Sequence, residues 1–219
     1  FQPEFRQVVD PLAGSIAGLR LIEIDDGEYG AAIRDGDGSP LVIKRSGDDG
    51  YLIYTGGTTG KPKGVIWRAA DARATQLESP AVKCVPQSMQ DHVKMVRENT
   101  TPHRVMPACP LMHGAGMTSS LAELVNGGTV VVLPEGPFQA ATLLDEVQRH
   151  RVTRILIVGD VFARPIVEAL REEPGRWDTS SLRIMSSSGL MWSREVKHAL
   201  VDLIPQITLI DILGASEAS

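Results

Sequence analysis

Little in this chain points to a secreted, membrane-spanning or nucleic-acid-binding protein. It has only two cysteines, Cys84 and Cys109, in unrelated contexts, so no disulfide framework is implied and both thiols read as buried small hydrophobes. Long hydrophobic runs are missing as well. The longest, residues 129–133 and 155–158, fall far short of the roughly 20 apolar residues that a membrane helix needs. The first residues lack the basic, apolar, small-residue order of a signal peptide. A cytoplasmic location is therefore the default expectation, with room for peripheral membrane association but no transmembrane segment. There is no excess of positive charge: the formal net charge is −5 with a pI near 5.6, and the charges are spread rather than blocked, which gives no footprint for nucleic acid. His103, Cys109 and His113 fall within eleven residues, but without a second Cys-x-x-Cys or a His-Glu-x-x-His they argue against a zinc site. No G-x-S-x-G elbow suggests acyl transfer through serine.

What is present suits a globular α/β protein. With 219 residues and 42% hydrophobic content the chain can bury a real core. Phe1, Phe5, Val8, Val9, Leu12 and Ile16 predict a helix within residues 1–18, closed by Gly14 and Gly18. Residues 19–24 read as a strand, 25–28 as a turn, 34–40 as a polar loop and 41–44 as a short edge strand. Residues 67–78 are rich in helix formers, and a further helix fits 88–99 within an irregular stretch that runs from 79 to 102. From residue 104 onward strands and helices alternate. Strands are expected at 104–108, 129–133, 154–158, 182–186 and 207–213, the second of them buried. Helices are expected at 117–126, 138–150, 161–172 and 193–203. Alternation of this kind implies mostly parallel sheet flanked by helices, with ligands near the carboxyl ends of the strands.

The chain is organised around Tyr54-Thr55-Gly56-Gly57-Thr58-Thr59-Gly60-Lys61-Pro62-Lys63-Gly64, entered from the apolar run Tyr51-Leu52-Ile53-Tyr54. Glycines expose backbone N–H groups to an anion, while the threonines and lysines add donors and positive charge. That is the composition of a polyphosphate cradle, in which each charge-assisted hydrogen bond contributes roughly 1.5–3 kcal/mol. A plain Gly/Thr hairpin between two strands is the alternative, and it has no use for so many glycines followed by Pro-Lys-Gly. The G-x-x-x-x-G-K-[ST] loop of kinases and GTPases does not fit. Only three residues separate Gly56 from Gly60, and Pro62 stands where a magnesium-binding hydroxyl is needed.

The string instead resembles the phosphate loop Y-T-S-G-T-T-G-x-P-K-G of the adenylate-forming superfamily, which includes acyl-CoA synthetases, luciferase and the adenylation domains of peptide synthetases; Gly56 is its one departure. Pro110-Leu111-Met112-His113-Gly114-Ala115-Gly116 is similar to the family's P-L-x-H-x-x-G. Ser187-Ser188-Gly189-Leu190-Met191-Trp192-Ser193-Arg194-Glu195 is similar to S-G-G-A-P-L-S-P-E, and Leu213-Gly214-Ala215-Ser216-Glu217 to Y-G-x-T-E. Leu213 replaces a tyrosine and Leu190-Met191 replace Ala-Pro, so aromatic stacking on adenine is lost while apolar cover remains. The glycine at 56 with Val65-Ile66-Trp67 is nearest to actinobacterial ligases acting on fatty acids and steroid side chains.

The resemblance implies a partial large N-terminal domain of an adenylate-forming enzyme, with a phosphate-loop part over residues 1–110 and a second βα part over 111–219. It implies ATP, Mg²⁺, coenzyme A and a carboxylic acid, a fatty acid or steroid side chain, as ligands. Carried over residue by residue, Thr55, Gly56, Gly57, Thr58, Thr59, Gly60 and Lys63 would hold phosphate, with Thr58, Lys63 and Glu217 serving the chemistry. Ser188, Gly189 and Leu190 would line the adenine, as would Leu213, Gly214 and Ala215; Ser216 would meet the α-phosphate and Glu217 would hold Mg²⁺. His113, Gly114 and Gly116 would stand at the acyl pocket. The family's ribose-binding aspartate, hinge and C-terminal lysine have no counterpart in these residues, so the chain is expected to be a fragment unable by itself to form a thioester. Another adenylating branch, an aryl-CoA ligase or a peptide-synthetase domain, stays open, as does a non-catalytic nucleotide-binding module on the same fold. Nothing in the sequence indicates an oligomeric state.

Overall fold

A computed structural model describes residues 1–25, 27–39, 42–56, 60–78 and 85–216. The chain divides into two compact units, Phe1–Arg45 and Ser46–Ser219.

In the first unit a short 3₁₀ turn, Pro3–Phe5, leads into helix α1 (Arg6–Ala13), and α2 spans Glu28–Asp35. The strand expected over 19–24 does not form. Its backbone makes a two-bond bridge to the first residue, from the Phe1 ammonium to the Ile22 carbonyl (2.8 Å) and from the Ile24 amide to the Phe1 carbonyl (2.8 Å), besides local turn bonds at Leu19 and Glu23. A strand needs a ladder partner along its length, and alternation in sequence does not supply one. Of the turn expected at 25–28, Asp26 lies outside the described residues; the Gly27 amide donates to Asp25 Oδ1 (2.9 Å), and Glu28 already begins α2. Helix α2 was not predicted, because Gly30 and its eight-residue length leave almost no periodic signal. In the short strand expected over 41–44, Leu41 lies outside the described residues and residues 42–44 carry no strand.

The second unit opens with an antiparallel hairpin of β1 (Gly50–Thr55) and β2 (Lys63–Arg68), paired from Gly50↔Arg68 to Thr55↔Lys63. Helices α3 (Ala69–Glu78) and α4 (Met89–Glu98) follow. Ser88 caps α4 by accepting the Asp91 amide (3.1 Å). The expected helix over 67–78 starts two residues late, since Trp67 and Arg68 belong to β2. The region then builds a five-stranded parallel sheet from β3 (Arg104–Pro107), β4 (Thr129–Val130), β5 (Arg154–Ile157), β6 (Ile184–Ser188) and β7 (Thr208–Ile212), ordered β4-β3-β5-β6-β7. The intervening helices are α5 (Gly114–Val125), α6 (Ala140–His150), α7 (Asp160–Glu172) and α8 (Arg194–Leu203).

From β3 the chain crosses to β4 on one side and returns through α6 to β5 on the other. Right-handed crossovers then put α5 on one face of the sheet and α6, α7 and α8 on the opposite face. The core lies on that second face. Leu143, Leu144 and Val147 of α6, Ile166 of α7 and Leu200 of α8 pack on Ile155, Ile157 and Met185, all but fully buried. β4 is a two-residue edge strand and not the buried one expected over 129–133: Val131 is buried, but Val132 is 59% exposed. An edge strand keeps one side open to water, which a β-branched run alone does not reveal.

Candidate functional site

The strand order reverses at β3, and ligands of open α/β sheets bind outside the carboxyl ends of the strands at such a point, here β3 and β5. Three of the four motifs singled out in the sequence leave the sheet at this edge. The segment after β3 is held by the Ala108 amide donating to the Leu156 carbonyl (2.8 Å), and it turns through the His113 amide donating to the Pro110 carbonyl (3.0 Å). His113 then occupies the N-cap position of α5 with an exposed imidazole that makes no capping bond. Gly116 is demanded by close approach, since a Cβ there would sit 2.7 Å from the Pro110 carbonyl oxygen. Cys109, directly upstream, is 4% exposed, and burial pushes its thiol pKa up, so it is a packed thiol and not a nucleophile. Cys84 lies outside the described residues.

The segment after β6 is the best anchored of the three. The turn that ends β5 grips it at three points. The Gly159 amide donates to Ser187 Oγ (2.8 Å), the Asp160 amide donates to the Met191 carbonyl (3.4 Å), and Asp160 Oδ1 accepts the Ser193 amide (2.9 Å). Gly159 has φ +60°, and a Cβ there would stand 2.6 Å from the Met191 carbonyl oxygen, so only glycine lets the two turns meet. For the Asp160 carboxyl, burial raises the pKa, but the Ser193 amide and hydroxyl together with the Arg164 guanidinium outweigh it and leave the group below its ordinary value. Between these anchors Gly189 adopts φ +91°, and the side chains of Leu190 and Met191 are exposed. Trp192 is buried at 4% exposure with its indole N–H lacking a partner among the described residues.

The segment after β7 runs through Leu213, which is fully exposed, to Ser216. It is fixed by the Trp67 indole, whose Nε1–H donates to the Ser216 carbonyl (2.8 Å) across 149 residues of sequence. This bond ties strand β2 to the carboxyl edge of the sheet. Ile53 of β1 adds a second tie, its Cδ1 standing 3.6 Å from where a Cβ of Gly114 would be. Expectation and geometry differ in one respect. The strands on either side of the Gly/Thr stretch pair as a hairpin up to Thr55↔Lys63, with Thr55 Oγ1 donating to the Lys63 carbonyl (3.5 Å). The ladder brings Thr55 and Lys63 to one place and leaves Gly56, Gly60, Lys61 and Lys63 exposed. Gly60 has φ +103°, a conformation that glycine adopts without strain.

Gly57, Thr58, Thr59 and Glu217 lie outside the described residues. Thr55, Gly56, Gly60, Lys63, His113, Gly114 and Ser216 fall on the hairpin and on the sheet edge to which it is bonded, with Ser188, Gly189, Leu190, Leu213, Gly214 and Ala215 on neighbouring segments of that edge. Among the described residues no group of three His, Cys, Asp or Glu side chains could hold a metal, so His103, Cys109 and His113 form no such site. Among the described residues no helix is long and apolar enough to cross a membrane. Sequence reasoning missed Gly159, Asp160, Ser187 as an acceptor, and the Trp67 indole. An Asp at the first position of a helix, directly after a strand-ending Gly, is the one signal that was available.

Comparisons with known proteins agree with this architecture. Residues 20–219 match the family described as AMP-binding enzyme. The chain is 32% identical over 199 residues to the medium-chain acyl-CoA ligase Mig of Mycobacterium avium, covering 89% of this chain and 36% of that one. It is 34% identical over 196 residues to the 3-oxocholest-4-en-26-oate–CoA ligase of Rhodococcus rhodochrous, covering 87% and 35%. The chain thus spans about a third of the length of these relatives. A solved long-chain-fatty-acid–CoA ligase from Archaeoglobus fulgidus superposes with a TM-score of 0.72 at 18% identity, over 99% of this chain and 42% of that one, which establishes the shared fold. By a match that runs from residue 20 to residue 219, on a parallel sheet whose carboxyl edge gathers the family's motifs, this chain belongs to the AMP-binding enzyme family.

Proposed function

We propose that the protein is an AMP-forming acyl-CoA synthetase acting on a fatty acid or a steroid side-chain acid. The observation that carries this reading is the Trp67–Ser216 hydrogen bond, because it joins the hairpin of the phosphate loop to the sheet edge where the other three motifs emerge. The names of the relatives at 32% and 34% identity support the substrate class. So do the exposed apolar side chains of Met112, Leu190, Met191 and Leu213 along that edge. The cytoplasm is the compartment we assign to this reaction.

In the proposed reaction a carboxylate oxygen of the acid bonds to the α-phosphorus of ATP, and the bond from that phosphorus to the bridging oxygen breaks, releasing pyrophosphate. The coenzyme A thiol then attacks the acyl carbonyl carbon, AMP departs, and the thiol proton goes to solvent. The first step needs in-line geometry and neutralisation of developing charge more than a protein nucleophile. Thr55, the glycines from Gly56 to Gly60, Thr58, Thr59 and Lys63 would hold the departing pyrophosphate. Ser188, Gly189, Leu190, Leu213, Gly214 and Ala215 would flank the adenine, Ser216 would meet the α-phosphate, and His113 with Gly114 and Gly116 would border the acid. A hard cation that keeps most of its water suits one carboxylate beside phosphate oxygens. Glu217, directly after the anchored Ser216, is the residue we assign to Mg²⁺, which would neutralise phosphate charge there.

The test is acid-dependent exchange of labelled pyrophosphate into ATP by the intact protein, run with medium-chain, long-chain and steroid side-chain acids and with aryl and amino acids as controls. Exchange with the first group is expected. Exchange with amino acids alone would move the protein to a peptide-synthetase branch, and no exchange with any acid would end the reading. The 219-residue chain alone, given ATP, Mg²⁺, acid and coenzyme A, is expected to yield no acyl-CoA.

A further inference from the structure

The β5–α7 turn does more than start a helix. An acidic residue in the first turn of a helix normally faces the free N–H groups of its own helix. Asp160 instead turns Oδ1 to the amide of Ser193, the N-cap of the next helix, while Arg164 Nη2 holds Oδ2 at 3.4 Å. With Gly159 bonded to Ser187 and the Asp160 amide bonded to Met191, the six residues from 188 to 193 are pinned at entry, middle and exit by one two-residue turn that belongs to a different βα unit. The backbone between the pins is left with little freedom, although Leu190 and Met191 expose their side chains.

We propose that Asp160 is a positioning residue, which through the Ser193 amide holds the 188–193 segment in its nucleotide-receiving shape before ATP arrives. The inference rests on the function proposed above and extends it to a residue that matches none of the four motifs. A segment ordered in advance does not have to be ordered at the expense of binding free energy, so the clamp acts on affinity for the nucleotide rather than on the acid. Only the carbonyl-type oxygen is needed to receive the Ser193 amide; an asparagine retains that acceptor, and an alanine does not.

The test uses the intact protein and two readouts. Amide hydrogen exchange of residues 188–193 in the absence of nucleotide reads the clamp itself. KM for ATP, KM for the acid and kcat in the adenylation assay read its consequence. Asp160→Ala is expected to speed exchange in the segment and to raise KM for ATP about tenfold, the equivalent of about 1.4 kcal/mol. KM for the acid and kcat should stay within about threefold, and Asp160→Asn should return KM for ATP to within about threefold of the unsubstituted protein. Ser187→Ala, which removes only the acceptor for the Gly159 amide, should shift KM for ATP in the same direction by about threefold, and it serves if Asp160→Ala does not fold. Unchanged exchange in these variants would overturn the clamp. Faster exchange with unchanged KM for ATP would reduce Asp160 to a structural capping group and overturn the positioning role. If the unsubstituted protein shows no acid-dependent exchange of pyrophosphate, the functional reading fails and takes the positioning role with it.

Discussion

The two faces of the central sheet are covered in opposite ways. On one, α6, α7 and α8 set Leu143, Leu144, Val147, Ile166 and Leu200 against the strands, and these side chains are essentially inaccessible. On the other, the residues that α5 buries are Gly116, Ser120 and Glu123, small or polar, while Leu121, Leu124 and Val125 are about half exposed. The first face is a self-sufficient core. The second brings a helix close to the sheet through small residues, carries the His113 loop at its start, and stands beside the hairpin through Ile53 and Gly114. The close packing thus lies on one face of the sheet and the looser packing on the other, and at Asp160 the α7 side of the packed face bonds the 188–193 segment.

The largest expected effect lies in the packed face. Leu143→Ala should destabilise by about 2–5 kcal/mol, through lost apolar burial and the cavity left behind, as read from urea unfolding. A loss below about 1 kcal/mol would mean that the α6 side is not the stabilising one. On the hairpin side, Trp67→Phe keeps most of the apolar contact and removes the N–H given to Ser216. It should cost about 1 kcal/mol in stability and raise KM for ATP in the intact protein, whereas an unchanged KM would detach the hairpin from the site.

The acid dependence of stability should sharpen the same contrast. The folded-state pKa of Asp160 is lowered, so its contribution is fully present above the unfolded carboxylate value and is lost as pH falls through that value towards the folded one. Thermal melting between neutral pH and pH 3 should therefore fall less steeply in Asp160→Asn than in the unsubstituted protein. Equal slopes would show the carboxylate to be unpaired in solution. The smallest effect belongs to the α5 face. Among the described residues Ser120 Oγ is buried without a hydrogen-bond partner, so Ser120→Ala should be neutral or stabilising by up to about 1 kcal/mol in the same unfolding measurement. A clear destabilisation would show that this hydroxyl has a partner in solution.

Much of this molecule was legible before any coordinates. The helix at 88–99 appears as α4 with both flanking residues as caps, and the helix at 193–203 appears as α8 with Ser193 capping it, because hydroxyl caps and apolar spacing are local signals. The strand expected at 182–186 lies two residues later, at Ile184–Ser188, since a serine run gives no apolar edge by which to place its end. The strand expected at 19–24 failed, and β4 proved to be an edge, for a common reason. Both segments carry the side chains of a strand, but pairing depends on partners distant in sequence. For the site, the motifs named the segments, whereas the Trp67–Ser216 bond and the Asp160 clamp join residues 149 and 33 positions apart and have no trace in local spacing.

The sequence by itself determined the alternation of strands and helices, the anion-binding composition of the Gly/Thr/Lys loop and the family to which its motifs point, because backbone conformation and hydrogen-bonding inventory are properties of neighbouring residues. Only the tertiary structure decided the strand order, which face carries the core, that the strands flanking the Gly/Thr/Lys loop pair with each other, and that a glycine–aspartate turn of one βα unit bonds the 188–193 segment of the next. Those outcomes depend on which distant groups meet, and it is burial together with the need of every buried donor and acceptor for a partner that selects among the possible meetings.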